Sequence, residues 1–128
     1  MTMLQLARTT RTLETLGAAL ERSGFAAQST PSSLTFHAPG QAVAHIAPSD
    51  TPEHWIFEVM FAVDDLDTAR GAARHFAQQH GGRLRLRGQT LILSSDVARL
   101  DLEHVVALYH TAGLLQNLLD AAHGSARH

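Results

Sequence analysis

The chain has 128 residues, a formal net charge of −2, nine histidines and no cysteine, and all ten of its cationic side chains are arginine. That length can bury one core without metal or disulfide support, and the near-neutral balance excludes a global pull towards polyanions, so any basic surface has to be local. Lacking cysteine, the chain has no disulfides, thiolate catalysis or cysteine-ligated zinc.

The opening MTMLQLARTTRTLETL has no apolar signal-peptide core. Met3, Leu6, Leu13 and Leu20 follow a heptad-like spacing with Leu16 beside them, which predicts an amphipathic helix ending at Ser23-Gly24. From Ser33 the period becomes two. Leu34 and Phe36 share a face, Pro39-Gly40 makes a turn, and Ala42–Ile46 reads as a second strand. After the loop PSDTPEH, the run Trp55–Val63 is the clearest strand: Trp55, Phe57, Val59, Phe61 and Val63 point one way, and Ile56, Glu58, Met60 and Ala62 the other. Glu58 interrupts this run and it is too short to span a bilayer, so a cytoplasmic protein without membrane contact is expected.

Asp64, Asp65 and Asp67 precede a second helix with Leu66, Ala69, Ala73 and Phe76 on one face, stopped by Gly81-Gly82. Gly88-Gln89 then suits a two-residue hairpin turn. That register sets Leu86 opposite Leu91 and Leu84 opposite Leu93, so Arg83, Arg85 and Arg87 share the other face with Thr90, Ile92 and Ser94. Asp101 caps a last helix from Leu102 to about Ala122. Its apolar residues extend beyond one core-facing stripe, so it is either sandwiched within the fold or covered by a second chain; a domain this small has few elements left to cover it, and Leu108 and Leu115 are the candidate dimer interface. The expectation is one domain over residues 1–123 and a frayed tail over 124–128.

Helix, three strands, helix, two strands, helix implies an α+β domain with an antiparallel sheet and helices packed against it. Through LETLGAALERSGF, WIFEVMFAV, AARHFAQQHGGRLRLRGQTLILSSDV and DLEHVVALYHTAGLLQNLLDAA, this order resembles the bacterial YbjN-like proteins and the small dimeric chaperones of type III secretion. The resemblance implies a non-enzymatic homodimer that holds a protein client.

The chemical motifs are weak beside it. No histidine pair has the helical i, i+4 or HExxH spacing of a metal site: His75 and His80 are five apart, His104 and His110 six. The acids of VDDLD could hold magnesium, but capping and the helix dipole account for them without a ligand. Ser94-Ser95-Asp96 with His104 hints at a nucleophile, yet no elbow positions the serine. Gly81-Gly82 follows a helix instead of preceding one, so it cannot aim a helix N-terminus at phosphate. No enzyme, cofactor or metal is expected.

Arg83, Arg85 and Arg87 leave an alternative, a small nucleic-acid-binding module that uses the hairpin as a groove-entering ribbon. The hairpin has no aromatic residue for stacking, and alternating arginines also keep a strand edge wet, so a solvated or protein-facing ladder is the preferred reading. The client is expected on the face that carries Ile56, Met60 and Ala62, with the arginines contributing ion pairs to an acidic partner. The competing arrangement has a helix, the first one, covering that face as a second small core.

Overall fold

Strand alternation and helix caps set the architecture of the computed structural model, which describes residues 2–126. Helix α1 (Met3–Arg22) opens with a capping box: the Gln5 N–H donates to Thr2 Oγ1 at 3.1 Å and the Thr2 N–H to Gln5 Oε1 at 2.9 Å. Strands β1 (Ala26–Ser29), β2 (Leu34–His37), β3 (Val43–Pro48) and β4 (Trp55–Ala62) follow. Helix α2 (Leu66–His80), strands β5 (Arg83–Arg87) and β6 (Thr90–Val97) and helix α3 (Leu102–Ala126) complete the α+β order. All six strands pair antiparallel in the spatial order β1-β2-β3-β4-β6-β5. No helix among the described residues is long and apolar enough to cross a membrane.

Four strands, not three, precede α2. The additional one, β1, reads AAQS and is almost wholly exposed. It has none of the branched or aromatic side chains that mark a strand in sequence. Its conformation is imposed by pairing with β2 through a turn in which the Thr30 N–H donates to the Ser33 carbonyl at 2.8 Å. Helix α3 runs past the expected end at Ala122, and residues 127 and 128 of the expected tail lie outside the described residues.

Every helix packs on one face of the sheet. That face carries Leu34, Phe36, Ala44, Ile46, Phe57, Val59, Phe61, Leu91 and Leu93, each no more than 5% exposed. Cross-strand pairs such as Leu34 with Ile46, Val59 with Leu93 and Phe61 with Leu91 line them up. Helix α1 lies over β1 and β2, where Leu13, Leu16 and Leu20 are buried. Gly17 permits a close approach, because a Cβ there would stand 3.2 Å from Leu34 Cδ1. The N-terminal half of the same stripe is bare: Met3 is 89% exposed and Leu6 38%.

Helix α3 packs against α1, α2 and β4. A helix with neighbours on three sides needs apolar residues on three sides, which accounts for its wide apolar circumference within a single chain. Leu115 is 0% exposed and belongs to the core, so its assignment to a dimer interface is corrected. Leu108 is half-buried against the same core, and the exposed leucine of this helix is Leu114. Tyr109 joins Phe25, Phe36 and Phe57 in an aromatic cluster.

Candidate functional site

Because strand side chains alternate, the helix-bearing face dictates what the other face holds. Ile56, Met60 and Ala62 of β4 lie on that other face, as the sequence pattern requires, and no helix covers them: α1 packs on the core side. The register arranges the face in rows across the strands. Val43, Met60 and Ile92 stand side by side on β3, β4 and β6, with Arg85 of β5 next in line. Thr35, His45, Glu58, Ser94 and Arg83 form the adjacent polar row. Ala47, Ile56 and Asp96 form a third. In the apolar row Val43 is 38% exposed, Met60 half-buried and Ile92 only 7% exposed, although Ile92 stands apart from the main core.

Glu58 ties three strands together. It accepts from Ser94 Oγ at 2.8 Å and from Arg85 Nη2 at 3.0 Å. The Glu58 side chain is 23% exposed and that of Arg85 63%, so solvent screens the pair from the arginine side and it contributes at most about 1 kcal/mol. Arg83 and Arg87 flank Arg85 on the same strand face, are exposed, and make no ion pair among the described residues. Near the end of the third row, His54 Nδ1 and Asp96 Oδ1 are 2.7 Å apart.

The other motifs resolve into structure. Asp65 Oδ1 accepts from the N–H groups of Asp67 at 3.0 Å and Thr68 at 3.3 Å, and Thr68 Oγ1 donates to Asp65 Oδ2, so the acids after β4 cap α2. The Asp101 carboxylate caps α3 at the His104 N–H, 2.8 Å away. The histidine that meets the Ser-Ser-Asp segment is His54 of the β3–β4 loop, which the spacing of His104 did not indicate. His80 stacks on Phe76 with centroids 4.8 Å apart. Among the described residues no group of three or more histidine or acidic side chains is placed to hold a metal ion.

On the helical side, an open cleft of about 390 Å³ lies between α3 and the β2–β3 turn, floored by Val59, Phe61 and Tyr109. The Tyr109 hydroxyl donates to the Ala42 carbonyl at 2.7 Å and accepts from the Ala38 N–H at 3.0 Å. Burial raises the phenol above its ordinary pKa, partly offset by the Ala38 amide, so the group is a neutral staple.

Comparison of the chain with protein-family models, with curated proteins and with solved structures returns no match.

Proposed function

We propose that the chain is a non-enzymatic, chaperone-like protein-binding domain that acts as a homodimer and holds a client segment against the helix-free face of its sheet. The observation that carries this reading is the one-sided packing: with the helices of the described residues on one face, the exposed Val43 and half-buried Met60, backed by the buried Ile92, are left for a partner to cover. Methionine in the centre of the row suits adaptable apolar recognition, because its unbranched thioether side chain repacks at little cost. The polar row on one side and Arg85 at the end would orient a client without burying an unpaired charge. The helix, strand and hairpin order adds the resemblance to YbjN-like proteins and secretion chaperones, with one further edge strand. For the homodimer, support comes from the bare end of α1, where Met3, Leu4 and Leu6 are 89%, 62% and 38% exposed.

The test is suppression of aggregation of reduced insulin, followed by light scattering. Wild type should suppress it. Met60→Glu should fail to do so while keeping a cooperative melt, because the substituted position faces away from the core. Suppression by both proteins alike, or by neither, refutes the reading. A mass of 13.9 kDa at micromolar concentration by light scattering would refute the dimer.

A nucleic-acid-binding module remains the second reading, favoured by Arg83 and Arg87, which have no ion pair among the described residues. Glu58 and Asp96 share their face, and the hairpin has no stacking residue. Salt-dependent anisotropy with single- and double-stranded oligonucleotides separates the two.

A further inference from the structure

β5 is an outer strand of the sheet, so one side of its backbone has no strand partner among the described residues. Its side chains alternate in exposure. Leu84 and Leu86 on the helical face are half-buried, whereas their cross-strand neighbours Leu93 and Leu91 are 5% and 1% exposed. The uncovered leucine surface joins Ala73 and Ala77 of α2 in an open groove of about 290 Å³, rimmed by Arg70 and Arg74. With Arg83, Arg85 and Arg87, five of the ten cationic side chains stand on α2 and β5, in a chain whose net charge is −2. Of these five, Arg85 faces Glu58 and Arg70 reaches Asp67 at only 4.0 Å. Arg74, Arg83 and Arg87 have no ion pair among the described residues.

We propose that this edge takes an extended acidic and aliphatic peptide segment as a seventh strand, its aliphatic side chains in the α2–β5 groove and its carboxylates beside Arg83, Arg85 and Arg87. A strand added here must continue the alternation of β5, because successive side chains fall on opposite faces. The aliphatic positions complete the cover of Leu84 and Leu86, and the opposite positions meet guanidinium groups, which pair best with carboxylates. The fitting sequence is therefore that of β5 with its charges reversed. A second copy does not fit, since pairing β5 with itself at matching faces sets arginine opposite arginine, and like charges directly opposite destabilise a sheet. Nucleic acid would leave the leucine and alanine floor unused and find no ring to stack on.

This inference rests on the reading of the chain as a protein-binding domain and shares Arg85 with the row of Met60, but its groove lies on the opposite face and Arg83 and Arg87 lie outside that row. The probe is a short, blocked, fluorescein-labelled peptide of alternating glutamate and valine, followed by anisotropy at low salt. Wild type should bind it, and Met60→Glu should bind it equally well. The double variant Arg83→Gln, Arg87→Gln should weaken it about tenfold, as should Ala77→Glu on the groove floor. The same peptide with alternate backbone nitrogens methylated should lose binding, because it cannot pair along the edge. Equal binding of the methylated peptide, of polyglutamate or of an alternating lysine and valine peptide would overturn the proposal. So would displacement by a single-stranded oligonucleotide at no higher concentration. Loss of peptide binding in Met60→Glu would instead show that the peptide sits on the sheet face.

Discussion

Replacing Tyr109 by phenylalanine removes one oxygen from a site that is 3% exposed, and with it the bonds to the Ala38 N–H and the Ala42 carbonyl. The ring itself should stay, held by its neighbours Phe25 and Phe36 at centroid distances of 5.5 and 5.4 Å. Each lost hydrogen bond removes a net stabilisation of about 0.5–1.5 kcal/mol. Both partners belong to the β2–β3 turn and are only partly buried, so water can rescue some of the loss. The sum is about 1–3 kcal/mol, or a fall in Tm of roughly 4–12 °C for a domain of this size. Urea unfolding followed by Trp55 fluorescence should show this as a lower midpoint with an unchanged slope. A second arm uses pH. Burial raises the phenol above 10.0, so the folded state holds this proton more tightly than the unfolded state. Stability is thus intact below about pH 10 and is lost as pH rises from there through the folded-state pKa. Tyr109→Phe should lack that alkaline loss. A change below about 0.5 kcal/mol, with the same alkaline slope as wild type, would refute the assignment of the hydroxyl as a staple.

Two further substitutions test the hairpin. Leu91→Ala should cost about 2–5 kcal/mol, whereas Leu86→Ala, truncating a half-buried side chain at an edge, should cost about 1–2 kcal/mol; urea midpoints that rank them the other way would contradict the groove beside Leu86. Gly82 has a φ of 86°, and a Cβ there would stand 2.9 Å from Leu93 Cδ1, so Gly82→Ala should destabilise by about 1–3 kcal/mol. Gly88, at φ 62° with open space around it, should accept asparagine within about 1 kcal/mol, and thermal melts showing similar losses at both glycines would contradict this geometry.

What the sequence discloses and what it conceals follow from the range of the interactions involved. The Trp55–Ala62 alternation and the Gly88-Gln89 turn are local patterns, and from them come the inner and outer faces and the register that pairs Leu84 with Leu93 and Leu86 with Leu91. The acids at 65 and 101 read correctly as caps for the same reason. Strand β1 has no local signal, because Ala26–Ser29 owes its extended form to β2 alone. The circumference of α3 was legible but its cause was not: a helix flanked by two others and one facing a second chain carry the same residues. Of the candidate site, Ile56, Met60 and Ala62 follow from alternation. Val43 joins them through the β3–β4 register, and Ile92 and the Glu58–Arg85 pair only once β6 is known to insert between β4 and β5. The α2–β5 groove was equally hidden, since nothing in RLRLR states that its leucines stop short of full burial.

The place of α3 at the middle of the helical layer bears on how a ribosome delivers this protein. Strands β1 to β4 form a meander of neighbours in sequence and can pair soon after they emerge, and the β5–β6 hairpin can then dock on β4. The sheet's apolar side nevertheless lacks its central cover until Val105, Tyr109, Ala112, Leu115 and Leu119 have been made, after every strand. Tyr109 in particular reaches back 71 residues to Ala38. The nascent chain therefore passes through a stage in which paired strands present Phe57, Val59 and Phe61 to solvent or to a waiting chaperone. Premature termination between the end of β4 and the start of α3 would leave paired strands as an adhesive fragment, so translational arrest late in the message is more hazardous for this protein than arrest within α1.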